Sequence, residues 1–170
     1  TPTCASLSLR RATTTRALGR RSTAHMRTEL WPSLDAVQRA VARMYPDVTI
    51  DLAGQRGLWF RGERQDLEEM LGNLIENAAK YGGGRVFVTA GQADGMIEVE
   101  VEDDGNGIPA DARDELFGRG ARLDTGKPGT GLGLAIVRDV AEIYGGAVGL
   151  GESEDLGGLS ATLSLPAVTD

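Results

Sequence analysis

Cysteine and histidine are almost missing from this 170-residue chain: each occurs once, as Cys4 and His25. A lone cysteine closes no internal disulfide and builds no thiolate metal cluster, which is compatible with a reducing compartment. No apolar run approaches the ~20 residues that a membrane helix needs, so no spanning helix is expected. Aromatic residues are scarce at 5%, and the 41% hydrophobic content is mostly Leu, Val, Ile and Ala, enough for an aliphatic core. Acidic residues are absent from residues 1–28, which hold six arginines. Residues 29–170 reverse the balance with 12 basic and 25 acidic residues, a net charge of −13. A body of that sign argues against nucleic-acid binding, which draws on basic surface. It leaves small phosphate ligands open, because a few local cations and Mg²⁺ can hold them.

Glycine is the residue in excess: 24 of 170, about twice the usual share of roughly 7%. With no collagen-like period, the excess belongs in loops that need unusual backbone angles or close ligand approach. Leu34, Val37, Val41 and Met44 recur at helical spacing after Pro32 and a candidate N-cap, Ser33, and Pro46 ends that helix. Val48–Leu52 alternates as a strand, Gly54–Gly57 reads as a turn and Leu58–Arg61 as a second strand. The best helix spans about Arg64 to Lys80, with Leu67, Met70, Leu71, Leu74, Ile75 and Ala78 as its apolar stripe and Gly82–Gly84 beyond its end. Arg85–Ala90 and Met96–Val101 form a hairpin around Gly91–Gly95. A glycine-studded stretch, Asp104–Thr130, carries one short helix near Asp111–Phe117, and so long an irregular segment is usually functional or disordered. Leu132–Tyr144 is helical, and Ala147–Gly151 and Leu159–Leu165 close the chain as strands. Helices followed by hairpins predict an α+β fold, one mixed sheet with helices on one face.

Three segments carry chemistry. In Asn73-Leu-Ile-Glu-Asn77-Ala-Ala-Lys80-Tyr81, Asn73 and Asn77 share a helix face. Asparagine is a poor helix interior residue, so the pair marks either a solvated polar face or a use. An amide oxygen suits Mg²⁺, and Lys80 can reach a phosphate. In Glu102-Asp103-Asp104-Gly105-Asn106-Gly107-Ile108, a carboxylate at a strand end can accept from the exocyclic amine of a base. The glycines let backbone approach the ring; the plainer reading is an Asp-Gly turn. Asp103 and Asp104 form no hard-metal pair, since strand neighbours point to opposite faces. In Gly129-Thr130-Gly131-Leu132-Gly133, a glycine loop runs into a helix whose free N–H groups and dipole suit an anion. It is neither a Walker loop, since Pro128 follows Gly126-Lys127, nor a dinucleotide fingerprint, since no strand precedes it.

Taken together, in this order and within about 60 residues, the three segments resemble the N, G1 and G2 boxes of the GHKL superfamily of gyrase, Hsp90, histidine kinases and MutL. Leu116-Phe117-Gly118-Arg119-Gly120 stands where histidine kinases carry an F box. The run from Glu68 to Leu165 is most similar to the ATP-binding catalytic domain of PhoQ-type sensor histidine kinases of two-component systems. The resemblance implies a two-layer α/β sandwich (the Bergerat fold) with a flexible ATP lid over about Asn106–Thr130. It implies ATP and Mg²⁺ as ligands, with Asn77 on the metal, Asn73 as the first N-box asparagine, and Lys80 and Tyr81 lining phosphates and nucleotide; Asn73, Asn77 and Lys80 would be the catalytic residues. Asp103, Gly105, Gly107 and Ile108 fall at the adenine, and Gly129, Thr130, Gly131, Leu132 and Gly133 at the G2 hinge. Arg122 and Lys127 lie in the lid, placed to reach phosphates.

Two positions depart from the pattern. Gly120 replaces the second aromatic of the F box. Asn73 stands where the superfamily's hydrolases keep a glutamate base, and an amide takes no proton from water. The expectation is therefore transfer of the γ-phosphate to a partner rather than hydrolysis; the alternatives are a GHKL ATPase module or a nucleotide-binding module without transfer. His25-Met-Arg-Thr-Glu-Leu lacks the acid and proline of a phosphoacceptor box, so the acceptor is expected on a dimerisation domain outside this chain, with a response regulator downstream. Residues 1–28 read as a basic tail, the frayed end of an upstream helix in preference to a transit peptide, and 29–168 as the catalytic domain. Alone, the chain is expected to be monomeric and cytoplasmic and not to phosphorylate itself. Trp59 is expected to pack and Trp31 to cover the domain's entrance.

Overall fold

The computed structural model describes residues 26–105 and 133–168. Chain order is β1 (Thr28–Glu29), α1 (Leu30–Met44), β2 (Thr49–Gly54), β3 (Trp59–Phe60), α2 (Arg64–Tyr81), β4 (Arg85–Ala93), β5 (Met96–Asp103), α3 (Gly133–Ile143), β6 (Ala147–Glu152) and β7 (Leu159–Pro166). Five strands make one mixed sheet in the order β2-β4-β5-β7-β6. β2 and β4 are parallel and the other pairs antiparallel. The short strands β1 and β3 pair separately.

Side-chain alternation makes the sheet two-faced. Val86, Val88 and Ala90 of β4, Ile97, Val99 and Val101 of β5, and Ala161, Leu163 and Leu165 of β7 are buried beneath the helices. The predicted stripe of α2 lies on them: Leu67, Met70, Leu71, Leu74, Ile75 and Ala78 are all buried. Each large side chain so removed from water contributes about 1.5–3 kcal/mol. The helices therefore cover one face, as expected, and α2 packs between α1 and α3. No helix among the described residues is long and apolar enough to cross a membrane.

Three local expectations need correction. The first helix starts at Leu30, not after Ser33. Its start is fixed by β1 pairing with β3 and by Leu30 N–H donating to the Leu58 carbonyl (2.9 Å). Pro32 is tolerated because first-turn N–H groups have no helical partner anyway. Ser33 is consequently buried inside the helix, its Oγ without a partner among the described residues. The β4–β5 turn is only Asp94-Gly95, both at positive φ (54° and 77°), between the paired Ala93 and Met96; Asp-Gly suits that two-residue turn, and β4 runs through Gly91. The tryptophans differ from expectation: Trp31 is 4% exposed, its indole N–H donating to the Gln55 carbonyl with Arg56 stacked on its ring, whereas Trp59 is 40% exposed rather than packed inside.

Candidate functional site

The site forms where the end of β5, the C-terminal half of α2 and the start of α3 converge. Asp103 keeps the parity of Ile97, Val99 and Val101, so its side chain lies on the helix-covered face, at the strand's end. It is 5% exposed. Its Oδ1 accepts from the N–H groups of Gly105 (2.9 Å) and Leu159 (3.2 Å), while Gly158 N–H donates to its carbonyl (3.1 Å). Burial pushes the carboxyl above its ordinary range, against the opposing pull of those two Oδ1 bonds and with a small push from Asp104. Among the described residues no donor meets Oδ2, which leaves that oxygen to a ligand's N–H.

Three glycines make room for this carboxylate. A Cβ at Gly82 would stand 3.0 Å from the Asp103 Cβ, and one at Gly105 would stand 3.1 Å from its Oδ1 and 2.9 Å from the Tyr81 carbonyl. A Cβ at Gly158 would stand 2.7 Å from the Gly105 nitrogen and closer still to Asp103 itself. Gly82 and Gly158 were not legible as site residues: Gly82 reads as a helix end, and Gly158 falls between the two closing strands outside any motif. Asp104 turns elsewhere, as expected, its Oδ1 accepting from Gly83 N–H (3.0 Å) and Arg85 N–H (2.9 Å) to hold the loop after α2.

The two asparagines of α2 differ. Asn73 Nδ2 donates to the Glu69 carbonyl one turn back (2.9 Å), and its Oδ1 stands 3.3 Å from where a Gly133 Cβ would be. The first residue of α3 therefore sits on Asn73. Asn77 is half-buried, with no side-chain partner among the described residues. Lys80 Nζ lies 5.5 Å from the Tyr81 ring centre, a cation–π distance. Glu76 faces α1, where it accepts from the Tyr45 hydroxyl (3.4 Å). The structure thus brings together Asp103, Gly105 and Tyr81 on one side and Asn73 and Gly133 on the other. His25, Gly107, Ile108, Arg122, Lys127, Gly129, Thr130, Gly131 and Leu132, with the F-box segment, the expected lid and its short helix, lie outside the described residues.

α3 is fixed at its far end too. The Tyr144 hydroxyl donates to Asp66 and accepts from Glu63 N–H (3.3 Å), and the ring meets Phe60 edge-on at 4.9 Å. On the opposite sheet face, Glu98, Glu100 and Glu102 line β5. Glu102 is buried, accepts from Ser153 Oγ (2.9 Å), and is pushed up chiefly by that burial.

Residues 62–169 match the family described as histidine kinase-, DNA gyrase B- and HSP90-like ATPases. The sensor protein kinase CarS of Pseudomonas aeruginosa is 44% identical over 121 residues, which is 71% of this chain and 27% of that protein. The sensor protein PhoQ of Escherichia coli is 40% identical over 126 residues, 72% of this chain and 26% of that protein. The chain thus spans about a quarter of the length of the curated relatives it matches. Among solved structures, the mycobacterial sensor histidine kinase MprB superposes with a TM-score of 0.78 at 27% identity, over 85% of this chain and 100% of that one. The ATP-binding domain of PrrB from Mycobacterium tuberculosis does so with a TM-score of 0.72 at 30% identity, over 86% and 99%.

Proposed function

The chain belongs to the family of histidine kinase-, DNA gyrase B- and HSP90-like ATPases, and on that footing we propose that it is the ATP-binding catalytic domain of a sensor histidine kinase. It holds Mg²⁺-ATP and presents the γ-phosphate to a histidine on a dimerisation domain outside this chain, on the cytoplasmic side, with a response regulator as the eventual recipient. The observation that carries the reading is Asp103: a buried carboxylate with one oxygen held by backbone N–H groups and the other left for a donor, ringed by glycines. That arrangement fits an exocyclic amine, and the side chain must be ionised to accept it fully.

Asn77 fits the metal: a half-buried amide with no partner among the described residues, one turn from Lys80. Among those residues no group of three carboxylates, histidines or cysteines is placed to hold a metal ion. A cation held here would rely on the amide, waters and phosphate oxygens, which suits Mg²⁺. Bound Mg²⁺ would neutralise charge on the phosphates being separated. Lys80 would add a point charge, and Arg122, Lys127 and the glycines from Gly129 to Gly133 complete the phosphate side in this reading.

Two placements favour transfer over hydrolysis. Asn73 is an amide already bonded to a carbonyl, and Glu76, next to Asn77, faces α1 and Tyr45. Neither offers a base to a water at the phosphate. The test is calorimetry with a non-hydrolysable ATP analogue, with and without Mg²⁺, followed by phosphotransfer in the longer parent protein. Asn77→Ala should abolish Mg²⁺-dependent binding and autophosphorylation in a chain that still folds. Full activity in that variant, or steady-state ATP turnover by the wild-type chain that needs Glu69 or Glu76, would overturn the proposal.

A further inference from the structure

We propose that Asn73 is a positioning residue, which sets the start of α3 against α2 by packing on Gly133 and does not itself ligate the metal. The inference rests on the nucleotide-site reading above. The amide's orientation is determined by its neighbours. A backbone carbonyl only accepts, so the group facing the Glu69 carbonyl at 2.9 Å is the NH₂. Oδ1 therefore points away from Glu69, toward Gly133, where a Cβ would meet it at 3.3 Å and the Asn73 Cβ and Cγ at 3.8 Å each. Gly133 is the first residue of α3, and the N–H groups of a first turn lack helical partners and carry the positive dipole end. Where Gly133 rests on α2 decides where those groups aim.

The second fixed point makes the first one matter. Tyr144, just past α3, is held by Asp66 and Glu63 at the start of α2. With Asn73 at one end and Asp66 at the other, α3 cannot slide along α2 without losing one contact. Asn77 makes no comparable contact among the described residues. Two chemically identical side chains one turn apart thus divide the work: Asn73 acts through Gly133, and Asn77 meets the ligand.

The experiment is a double-mutant cycle on Asn73→Ala and Gly133→Ala. It reads affinity for a non-hydrolysable ATP analogue, the Mg²⁺ concentration that half-saturates that binding, and thermal unfolding without nucleotide. Gly133→Ala makes the Asn73 amide give by a few tenths of an ångström and should weaken binding about threefold; adding Asn73→Ala opens the space and should recover at least about twofold, the non-additivity expected of touching residues. Asn73→Ala alone should leave the Mg²⁺ midpoint within about twofold, whereas a ligand would move it further. Additive losses, or a Mg²⁺ midpoint that Asn73→Ala displaces beyond about twofold, overturn the inference. A wild-type chain that binds no nucleotide overturns the proposed function instead. The cycle in thermal unfolding then decides the contact by itself, additive shifts refuting it and non-additive shifts upholding it.

Discussion

Gly158→Ala should cost the chain most of its nucleotide affinity while the fold survives. The new Cβ would fall 2.7 Å from the Gly105 nitrogen and closer to Asp103 Oδ1 and its carbonyl. Two of those atoms are backbone, and the third belongs to a carboxylate only 5% exposed, so none is a flexible tip that can swing away. Either the β6–β7 connection retreats, breaking the bonds from Gly158 N–H and Leu159 N–H to Asp103, or Asp103 turns from its present position. Overpacking of this kind costs about 1–3 kcal/mol of stability, tolerable for a domain of ordinary stability at about 5–15 kcal/mol. A misdirected carboxylate also loses its bond to the base, about 1.5–3 kcal/mol for a charged acceptor, or roughly 10- to 150-fold in Kd. Calorimetry with a non-hydrolysable ATP analogue and Mg²⁺ measures it, with thermal unfolding alongside. Gly149→Ala is the control, since its Cβ meets nothing within 4 Å. A folded Gly158→Ala chain binding within twofold of wild type would refute the cradle.

Asp103→Asn separates stability from binding. Burial holds the folded carboxyl above its ordinary 3.8, so the folded chain binds this proton more readily than the unfolded one. The group's contribution to stability then rises as pH falls through the window above 3.8 and shrinks as pH rises through it. The asparagine variant should therefore exceed wild type in urea midpoint at pH 7, with the gap closing on acidification and nucleotide affinity lost throughout; a constant gap would refute the burial argument. Tyr144→Phe removes the hydroxyl shared by Asp66 and Glu63 and should cost about 1–2 kcal/mol in urea unfolding; an unchanged midpoint would mean that ring packing alone holds the end of α3. Gly72→Ala, inside α2 with open space around its Cβ, should stabilise by about 0.5–1 kcal/mol, and a lower melting temperature would contradict that.

Periodicity made α2 and the inner strands readable because their buried rows repeat over many residues: the six expected stripe positions in α2 are buried, and the strand expected at Met96–Val101 buries Ile97, Val99 and Val101. It had no purchase on β1, two residues long, and so the first helix was expected four residues late. Leu58–Arg61 reads as a strand and holds β3, but two paired residues gave no alternation to say which side faces in, and Trp59 was expected to pack. Asp103 was legible from its place at a strand end before Gly105. Its cradle was not, because Leu159, which donates to it, lies 56 positions further along the chain, and nothing local distinguishes Gly158 from the glycine of an ordinary turn.

The same limit explains why the sequence paired Asn73 with Asn77. Spacing puts both on one helical face, and a face is all that spacing can give. Their roles depend on what each turn of α2 meets. At Asn73 it meets the first residue of α3; at Asn77 it meets no side-chain partner among the described residues. Turning the Asn73 amide to a metal would break its bond to the Glu69 carbonyl, which keeps the helical N–H of Asn73, and would withdraw Oδ1 from Gly133. An amide with no prior bond has no such cost. In the proposed reading metal binding therefore falls to Asn77 even though either residue has the right chemistry, and a glutamate at position 73 would have no NH₂ to give to the Glu69 carbonyl.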